Sequence, residues 1–576
     1  MGESEHFGED VPVSEPVGSF CLVLHAHVPY VLHHGTWPHG EDWLYEAAAE
    51  TYLPLVSMID EVCRLGARPS VTLGLTPVLL EQMAHPRFKQ GLLDYLAGRV
   101  ERATGDRKDF EVRNEMHFAF LASRWAEFYG KRAEQFEAMD RDLPSAFGRL
   151  ARDGTIEILT GYATHGYAPL LLEDSSIRAQ IRAGMASSER ILGIRPTGAW
   201  LPECAYRPAG RWHPAVSFGG PRDRIGIEQM LADEGITHFF IEDPLVPRNI
   251  GDEKARQFYE QLSDARRRFI HECGDWRPTQ GPIGLHSHSN GATVAAFARC
   301  REVCEQVWSG WVGYPGTGTY LEFHKKYGER RGLRYWKVTQ SQSGLSQKDP
   351  YYPDDVSGVI FQQVNHFSNL IRRTLEEERH RHGRPGVVVA SFDAELYGHW
   401  WFEGVQFLRD LLLTLHHDPA VRVCTVGEYM QSRSPERRMW LPEFSWGEGS
   451  DHRVWINDRT EWMWEVEYRA ETKFGRNTFH LPWRERSDIH DLLKRAGREL
   501  LLLQASDWPF VVARGQAVDY GIRRFALHDN RYEIVCNLLD RMMEGGRITP
   551  LEEHQLRDAE IHDSVFPEID LNWWNM

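Results

Sequence analysis

The strongest constraint on the fold is a recurring unit. Short apolar runs of strand length, several ending on an ionisable residue, are separated by stretches of helical periodicity. Ser19-Phe-Cys-Leu-Val-Leu24 ends in His25-Ala-His27, Pro69–Thr76 reads PSVTLGLT, and Thr155-Ile-Glu-Ile-Leu-Thr160 runs into Gly161-Tyr-Ala-Thr-His165. Thr197–Pro208, TGAWLPECAYRP, breaks off at Glu203; Thr237-His-Phe-Phe-Ile-Glu242, Gly291–Arg299 and Gly386-Val-Val-Val-Ala390 follow, the last leading into Asp393. Val421–Val426 closes the pattern. Strands of this kind alternating with helices predict an α/β barrel, in which the C-terminal ends of the strands carry the working residues. His25, His27, His165, Glu203 and Asp393 all fall at such ends, and a period of two puts the first two imidazoles on one side of their strand.

Interruptions of the unit divide the chain. Residues 1–17 are acidic and polar with two prolines, the signature of a disordered tail. From 77 to 150 no strand signal occurs and apolar residues recur at three and four spacing, which predicts a helical subdomain inserted in an 18–430 barrel. Residues 209–224 form a basic, Gly/Pro-rich insertion on a loop, and Asp243–Asn290 reads as a long excursion over the active face. After Pro435 strand signals stop, and 431–576 is expected to be a C-terminal helical domain.

Two carboxylates delivered on strand ends among aromatic residues suit glycosidic-bond chemistry, one attacking the sugar carbon and the other protonating the leaving oxygen. Glu395, two residues beyond Asp393, is expected on the same strand face and competes for the acid role. A His-x-His ending a first barrel strand is also what a metal-dependent amidohydrolase-like barrel uses, so that reading stands as a rival. Trp37 and Trp43 lie in a Gly/Pro-containing loop, where an indole is a platform for a sugar face or a lid on the barrel.

The flanking words sharpen the choice. His25-Ala-His-Val-Pro29, Gly161-Tyr-Ala-Thr-His165, Trp200-Leu-Pro-Glu-Cys204, Phe392-Asp-Ala-Glu-Leu-Tyr-Gly-His399 and Ser445-Trp-Gly followed by Trp455 occur in this order. Together they resemble the α-glucan branching enzymes of glycoside hydrolase family 57, over roughly Gly18–Arg547. The resemblance implies a distorted TIM-like barrel of (β/α)7 type, with the inserted helical subdomain and the C-terminal all-helical domain. It implies a retaining double displacement with Glu203 as nucleophile and Asp393 as acid/base. It further implies His25, His27 and His165 as sugar ligands, and Arg299, Trp308 and Gly316 as glucan contacts. Trp37, Trp43, Trp308, Trp446 and Trp455 are then expected to stack two glucan chains, with Asp507 as a polar anchor from the C-terminal domain. Branching members carry a mobile loop with a tyrosine near its tip, and Tyr259 is the one tyrosine between Thr237 and Val307. A 4-α-glucanotransferase or α-amylase of the same family, and an inactive glucan-binding protein, remain alternatives.

Composition excludes other partners. With 83 acidic against 66 basic residues the formal charge is −17, unsuited to nucleic acid or an anionic membrane surface and compatible with a neutral polymer. Twenty Trp and 12% aromatic residues suit an α-glucan such as amylose or glycogen. The eight cysteines are scattered, with Cys300 and Cys304 the nearest approach to half a metal site. No signal-like or membrane-spanning apolar run occurs, so a cytoplasmic protein without metal or cofactor is expected. The sequence does not fix the number of subunits.

Overall fold

The computed structural model describes residues 15–245, 251–287, 291–309, 312–328, 331–340 and 342–575. Most of the expected N-terminal tail lies outside the described residues. The strands are β1 (Gly18–Ala26), β2 (Val71–Leu75), β3 (Ile156–Leu159), β4 (Gly198–Ala199), β5 (Gly210–Trp212), β6 (Arg222–Arg224), β7 (His238–Ile241), β8 (Ile283–His286), β9 (Thr293–Ala298), β10 (Gly386–Asp393), β11 (Val421–Val423) and β12 (Arg437–Arg438).

Seven parallel strands run round the barrel in two sheets, in the order β10-β1-β2-β3 and then β4-β7-β9. The sheets meet at two seams rather than in a continuous ladder. At one, Thr160 N donates to Gly198 O (3.1 Å) and Trp200 N to Thr160 O (2.8 Å); at the other, Cys300 N donates to Val389 O (2.8 Å). The result is a distorted TIM-like barrel. β11 does not close it. This three-residue strand pairs with the first residues of β1, Gly18–Phe20, below the point where β2 takes over.

Side-chain alternation sorts the barrel strands into two cores. Cys21 and Val23 of β1 and Val387 and Val389 of β10 pack in the lumen with Leu159, Trp200, Phe240 and Phe297, while Phe20, Leu22, Leu24, Val388 and Ala390 face the surrounding helices. The same phase, two residues past Val23 and four past Val389, reaches His25 and Asp393, which the register sets opposite one another. Gly74 is the other register partner of His25; a Cβ there would lie 3.4 Å from its imidazole, so the glycine leaves room for the ring.

Several segments differ from their sequence reading. The Glu203 run keeps only two strand residues, because the backbone turns into a 3-10 segment at Pro202–Cys204 with Glu203 at φ 60°. The 209–224 insertion is a β-hairpin of β5 and β6, pinned by Arg224 to Asp174 (2.6 Å) with its guanidinium over Trp212. The 243–290 excursion contains helices Gly251–Glu260 and Asp264–Glu272, and β8, antiparallel to β9. Tyr259 is exposed on the first of these helices.

Residues 77–152 fold into helices Pro77–Ala84, Pro86–Val112, Met116–Ala138 and Leu143–Arg152. Beyond the barrel, helices Glu461–His480, Ser487–Leu503, Asp507–Arg514, Val518–Met543 and Pro550–His562 pack over its rim. Arg524 donates to Tyr30 O (2.6 Å), Tyr30 Oη to His562 O (3.0 Å), and His34 pairs with Asp563 (2.7 Å). These contacts fix the loop after β1 against the C-terminal helices. Among the described residues no helix is long and apolar enough to cross a membrane.

Candidate active site

A cavity of about 410 Å³ opens at the C-terminal ends of the barrel strands. It is lined by His25, His27, Trp43, His165, Glu203, Arg299, Trp308, Asp393, Trp446, Trp455 and Asp507, so most of the sequence candidates converge on it. Trp37 lies instead in an adjoining cavity of about 850 Å³, which shares Trp43, His399, Trp400, Val511 and Gln516 with the first. Gly316 lines neither; it is the exposed last residue of a 3-10 turn, Tyr314–Gly316, whose Tyr314 is buried.

Glu203 sits on left-handed backbone, as do Cys204 (φ 50°) and, at the end of β3, His165 (φ 61°). Such conformations cost of order 1–3 kcal/mol each in a non-glycine residue and cluster at functional sites. Trp446 holds the strained residue twice: its backbone N donates to Glu203 O (3.0 Å), and its indole Nε1 donates to Glu203 Oε2 (2.5 Å). Burial raises the Glu203 carboxyl to about 7, against the lowering by the indole N–H and the nearby His27.

Asp393 ends β10 and faces the cavity, and among the described residues no group hydrogen-bonds its carboxyl. Burial, then the charges of Glu395 and Glu203, push it well above the ordinary range, with Arg299 opposing. Glu395 lies beyond the strand, although it lines the same cavity as Asp393. β10 stops at Asp393 and Ala394–Leu396 is a 3-10 turn, which ends the alternation. Its Oε1 accepts from Tyr52 Oη and from the backbone N of His27 (3.0 Å), which occupies it as a support for the site.

The three histidines form a stacked layer. His25 lies on Trp200 (ring centroids 4.7 Å apart), and its Nε2 meets Nε2 of His165 (3.2 Å). His165 Nδ1 is bonded to Ser506 Oγ (2.9 Å) and lies 3.9 Å from Glu203 Oε1. His27 Nε2 contacts the Asp507 carboxylate (3.0 Å), and its Nδ1 contacts Thr76 Oγ1 (3.1 Å). Burial lowers His25 and His165 far below the usual imidazole value, and the charge on His27 adds to it. For His27 burial also works against the cation, yet Asp507, Glu395 and Glu203 outweigh it and raise the group. His27 is therefore the imidazole of the layer that holds its proton most tightly, beside the carboxylates.

His27, His165 and Asp507 bring ligand atoms close enough to hold a metal ion. The two imidazoles, however, are stacked face to face, 4.1 Å apart and 16° from parallel. Their in-plane lone pairs then run nearly side by side instead of converging on one ion, and the Asp507 oxygens are already taken by His27. The geometry suits hydrogen bonding to hydroxyl groups better than the amidohydrolase scheme. Among the described residues Cys300 and Cys304 gather no further ligand.

The aromatic residues divide by exposure. Trp308 and Trp400 are 43% and 40% exposed and stand together at the cavity mouth, and Trp37 is 46% exposed next door. Trp446 is partly buried, with the Arg299 guanidinium over its ring and Arg299 in turn paired to Glu242 (2.5 Å). Trp455 differs from its expected role as a stacking platform. It is 1% exposed and Tyr167 covers one face at 4.3 Å, although the residue still lines the cavity. Phe510, Arg514 and Gln516, which no sequence spacing singled out, complete the wall from the C-terminal helices.

Comparison with known proteins gives a consistent picture. Residues 21–442 match the model of glycosyl hydrolase family 57, and residues 469–574 match that of the 1,4-alpha-glucan branching enzyme C-terminal region. The chain is 36% identical, over 545 residues, to a 1,4-alpha-glucan branching enzyme of Thermococcus kodakarensis, covering 94% of this chain and 77% of that one. It is similar to the solved GH57-type branching enzyme of the archaeon Pyrococcus horikoshii, with a TM-score of 0.86, 33% identity and 97% of each chain covered. An α-amylase of Thermotoga maritima matches with a TM-score of 0.78 and 26% identity, over 97% of this chain and 99% of that one.

Proposed function

The chain belongs to glycosyl hydrolase family 57, and from that premise we propose that it is a 1,4-α-glucan branching enzyme working by retaining double displacement. The observation that carries the mechanism is the convergence, in one cavity, of two buried carboxyls in unlike surroundings. Burial and the charges of Glu395 and Glu203 hold Asp393 well above the ordinary range, while Glu203 accepts from the Trp446 indole. Glu203 attacks the anomeric carbon of an α-1,4-linked glucan as Asp393 gives its proton to the departing oxygen. The glycosyl-enzyme is then attacked by the 6-hydroxyl of an acceptor glucan, whose proton returns to Asp393, and an α-1,6 branch results.

Transfer in place of hydrolysis needs a second chain held beside the intermediate and water kept from it. The adjoining 850 Å³ cavity, lined by Trp37, Trp43, Tyr95, Phe323, Trp400 and Tyr520, supports that reading, because it has aromatic walls and opens onto the catalytic cavity. The residues of 507–516 that wall the catalytic cavity support it as well. Amylose or glycogen is the proposed polymer, and a cytoplasmic role in glycogen-type storage follows from it.

The test is NMR of the linkages formed from amylose. New α-1,6 signals are expected. Shortened α-1,4 chains without them would favour the α-amylase reading, which the Thermotoga maritima neighbour keeps in view.

A further inference from the structure

His399 stands at the junction of the two cavities and lines both. Its surroundings fix it more firmly than a packing residue requires. Its Nδ1 meets Glu50 Oε2 (3.2 Å), its carbonyl accepts from Arg334 Nη1 (2.9 Å), and Phe323 meets its ring edge-on (5.1 Å). Glu50 lies in a single π-helical turn, Ala48–Tyr52, with its carboxylate fully buried; it also accepts from Tyr129 Oη and from Arg334 Nη2, both at 2.8 Å. Such π-turns are frequent at functional sites. Gly398 allows the close approach, since a Cβ there, at φ 108°, would sit 2.0 Å from Glu50 O.

The protonation pattern follows from these partners. Burial would raise the Glu50 carboxyl, but the Arg334 guanidinium, with help from His399, overcomes this and brings it down to about 2. An ionised carboxylate only accepts, so Nδ1, which meets Glu50, is the donating nitrogen. Among the described residues no protein group hydrogen-bonds Nε2, which is open to a substrate hydroxyl. A buried Glu–Arg pair thus fixes both the orientation and the donating nitrogen of an imidazole placed between the two chambers.

We propose that His399 is a substrate-binding residue for the acceptor chain, its Nε2 accepting a hydrogen bond from an acceptor hydroxyl at the junction, and that it biases the enzyme toward transfer over water. The proposal rests on the branching reading above. A glucan threaded from the outer cavity toward the Glu203 intermediate passes His399, whereas an attacking water has no need of it. Loss of one such neutral hydrogen bond is worth about threefold to tenfold.

The experiment uses the full chain, an activated glycosyl donor and a separately supplied maltooligosaccharide acceptor. Acceptor KM, the branching-to-hydrolysis ratio on amylose and the melting temperature are read for two variants. His399→Asn keeps a donor for Glu50 but has nothing at the Nε2 position; His399→Gln puts a polar atom near it. The Asn variant is expected to raise acceptor KM about threefold to tenfold and to lose transfer by more than hydrolysis. The Gln variant should recover part of that loss. An acceptor KM equal to the parent's, a Gln variant as poor as Asn, or parallel loss of both activities with the melting temperature would overturn the role. A parent that forms no α-1,6 linkages would instead refute the branching reading and this inference with it.

Discussion

Replacing Trp446 by Phe tests how the proposed nucleophile is kept ionised. The substitution retains a ring beneath the Arg299 guanidinium and the backbone bond to Glu203 O, and removes the indole N–H at 2.5 Å from Glu203 Oε2 together with the second ring of the indole. Hydrogen bonds to charged groups are worth about 1.5–3 kcal/mol net. That bond stabilises the ionised carboxylate and so lowers the pKa; without it the group binds its proton more tightly. At 1.36 kcal/mol per tenfold change in proton affinity, ionisation should move up by about one to two pH units from its present value of about 7. Because attack requires the carboxylate, the acidic limb of the kcat/KM profile should move up by the same amount, while the rate above the limb changes much less. The assay is the pH–rate profile on an aryl maltooligosaccharide whose leaving group needs no protonation, which takes Asp393 out of the first step. A limb that stays near pH 7, or a loss equal at every pH, would refute the idea that the indole tunes Glu203.

Glu203→Gln should abolish transfer and hydrolysis together, and more than trace activity would remove it as nucleophile. Asp393→Asn should be nearly inactive on amylose yet still form the glycosyl-enzyme from a donor with an activated leaving group, seen by mass spectrometry; equal loss on both donors would count against the acid role. Exhaustive chelation should leave activity unchanged, and a stoichiometric metal lost together with activity would revive the amidohydrolase scheme at His27, His165 and Asp507. Trp455→Ala should cost about 3–5 kcal/mol of stability and depress both activities in parallel, since the ring is packed on Tyr167; a shifted branching-to-hydrolysis ratio at unchanged melting temperature would make it a substrate contact after all.

What was legible in the sequence was local. A period of two, counted along β1 and β10, brings His25 and Asp393 to one side of adjacent strands without any knowledge of the rest of the chain. The same rule does not extend to Glu395, because the strand ends at Asp393 and a 3-10 turn, not the strand, brings that residue to the same cavity. The two-residue β4 was unreadable for a related reason: TGAWLPEC has the composition of a strand, and only the left-handed backbone at Glu203 and Cys204 ends it early. Trp446 and Trp455 look alike in sequence, nine residues apart in one aromatic segment. Burial separates them, and burial depends on Tyr167 from a distant loop. The outer cavity is built from residues within 37–46, 95–99, 323–328, 331–332, 399–400 and 511–520, and no spacing within any one of these announces the others.

The same long-range assembly explains why the C-terminal region matters for chemistry as well as for binding. A barrel with Glu203, Asp393 and Glu395 at its mouth has three buried carboxyls and would favour protonating more than one of them. Glu395 is spoken for by Tyr52 and the His27 backbone. The remaining two sit in unlike surroundings. Burial and the charges of Glu395 and Glu203 raise Asp393, which has no hydrogen-bond donor among the described residues, with Arg299 opposing; against the burial that raises Glu203 stand the Trp446 indole and His27. Asp507 acts in both directions, raising Glu203 by its own charge and raising His27, which lowers Glu203 in turn. The segment after residue 430 therefore contributes to the asymmetry through the indole N–H on Glu203 as well as to the wall of the cavity.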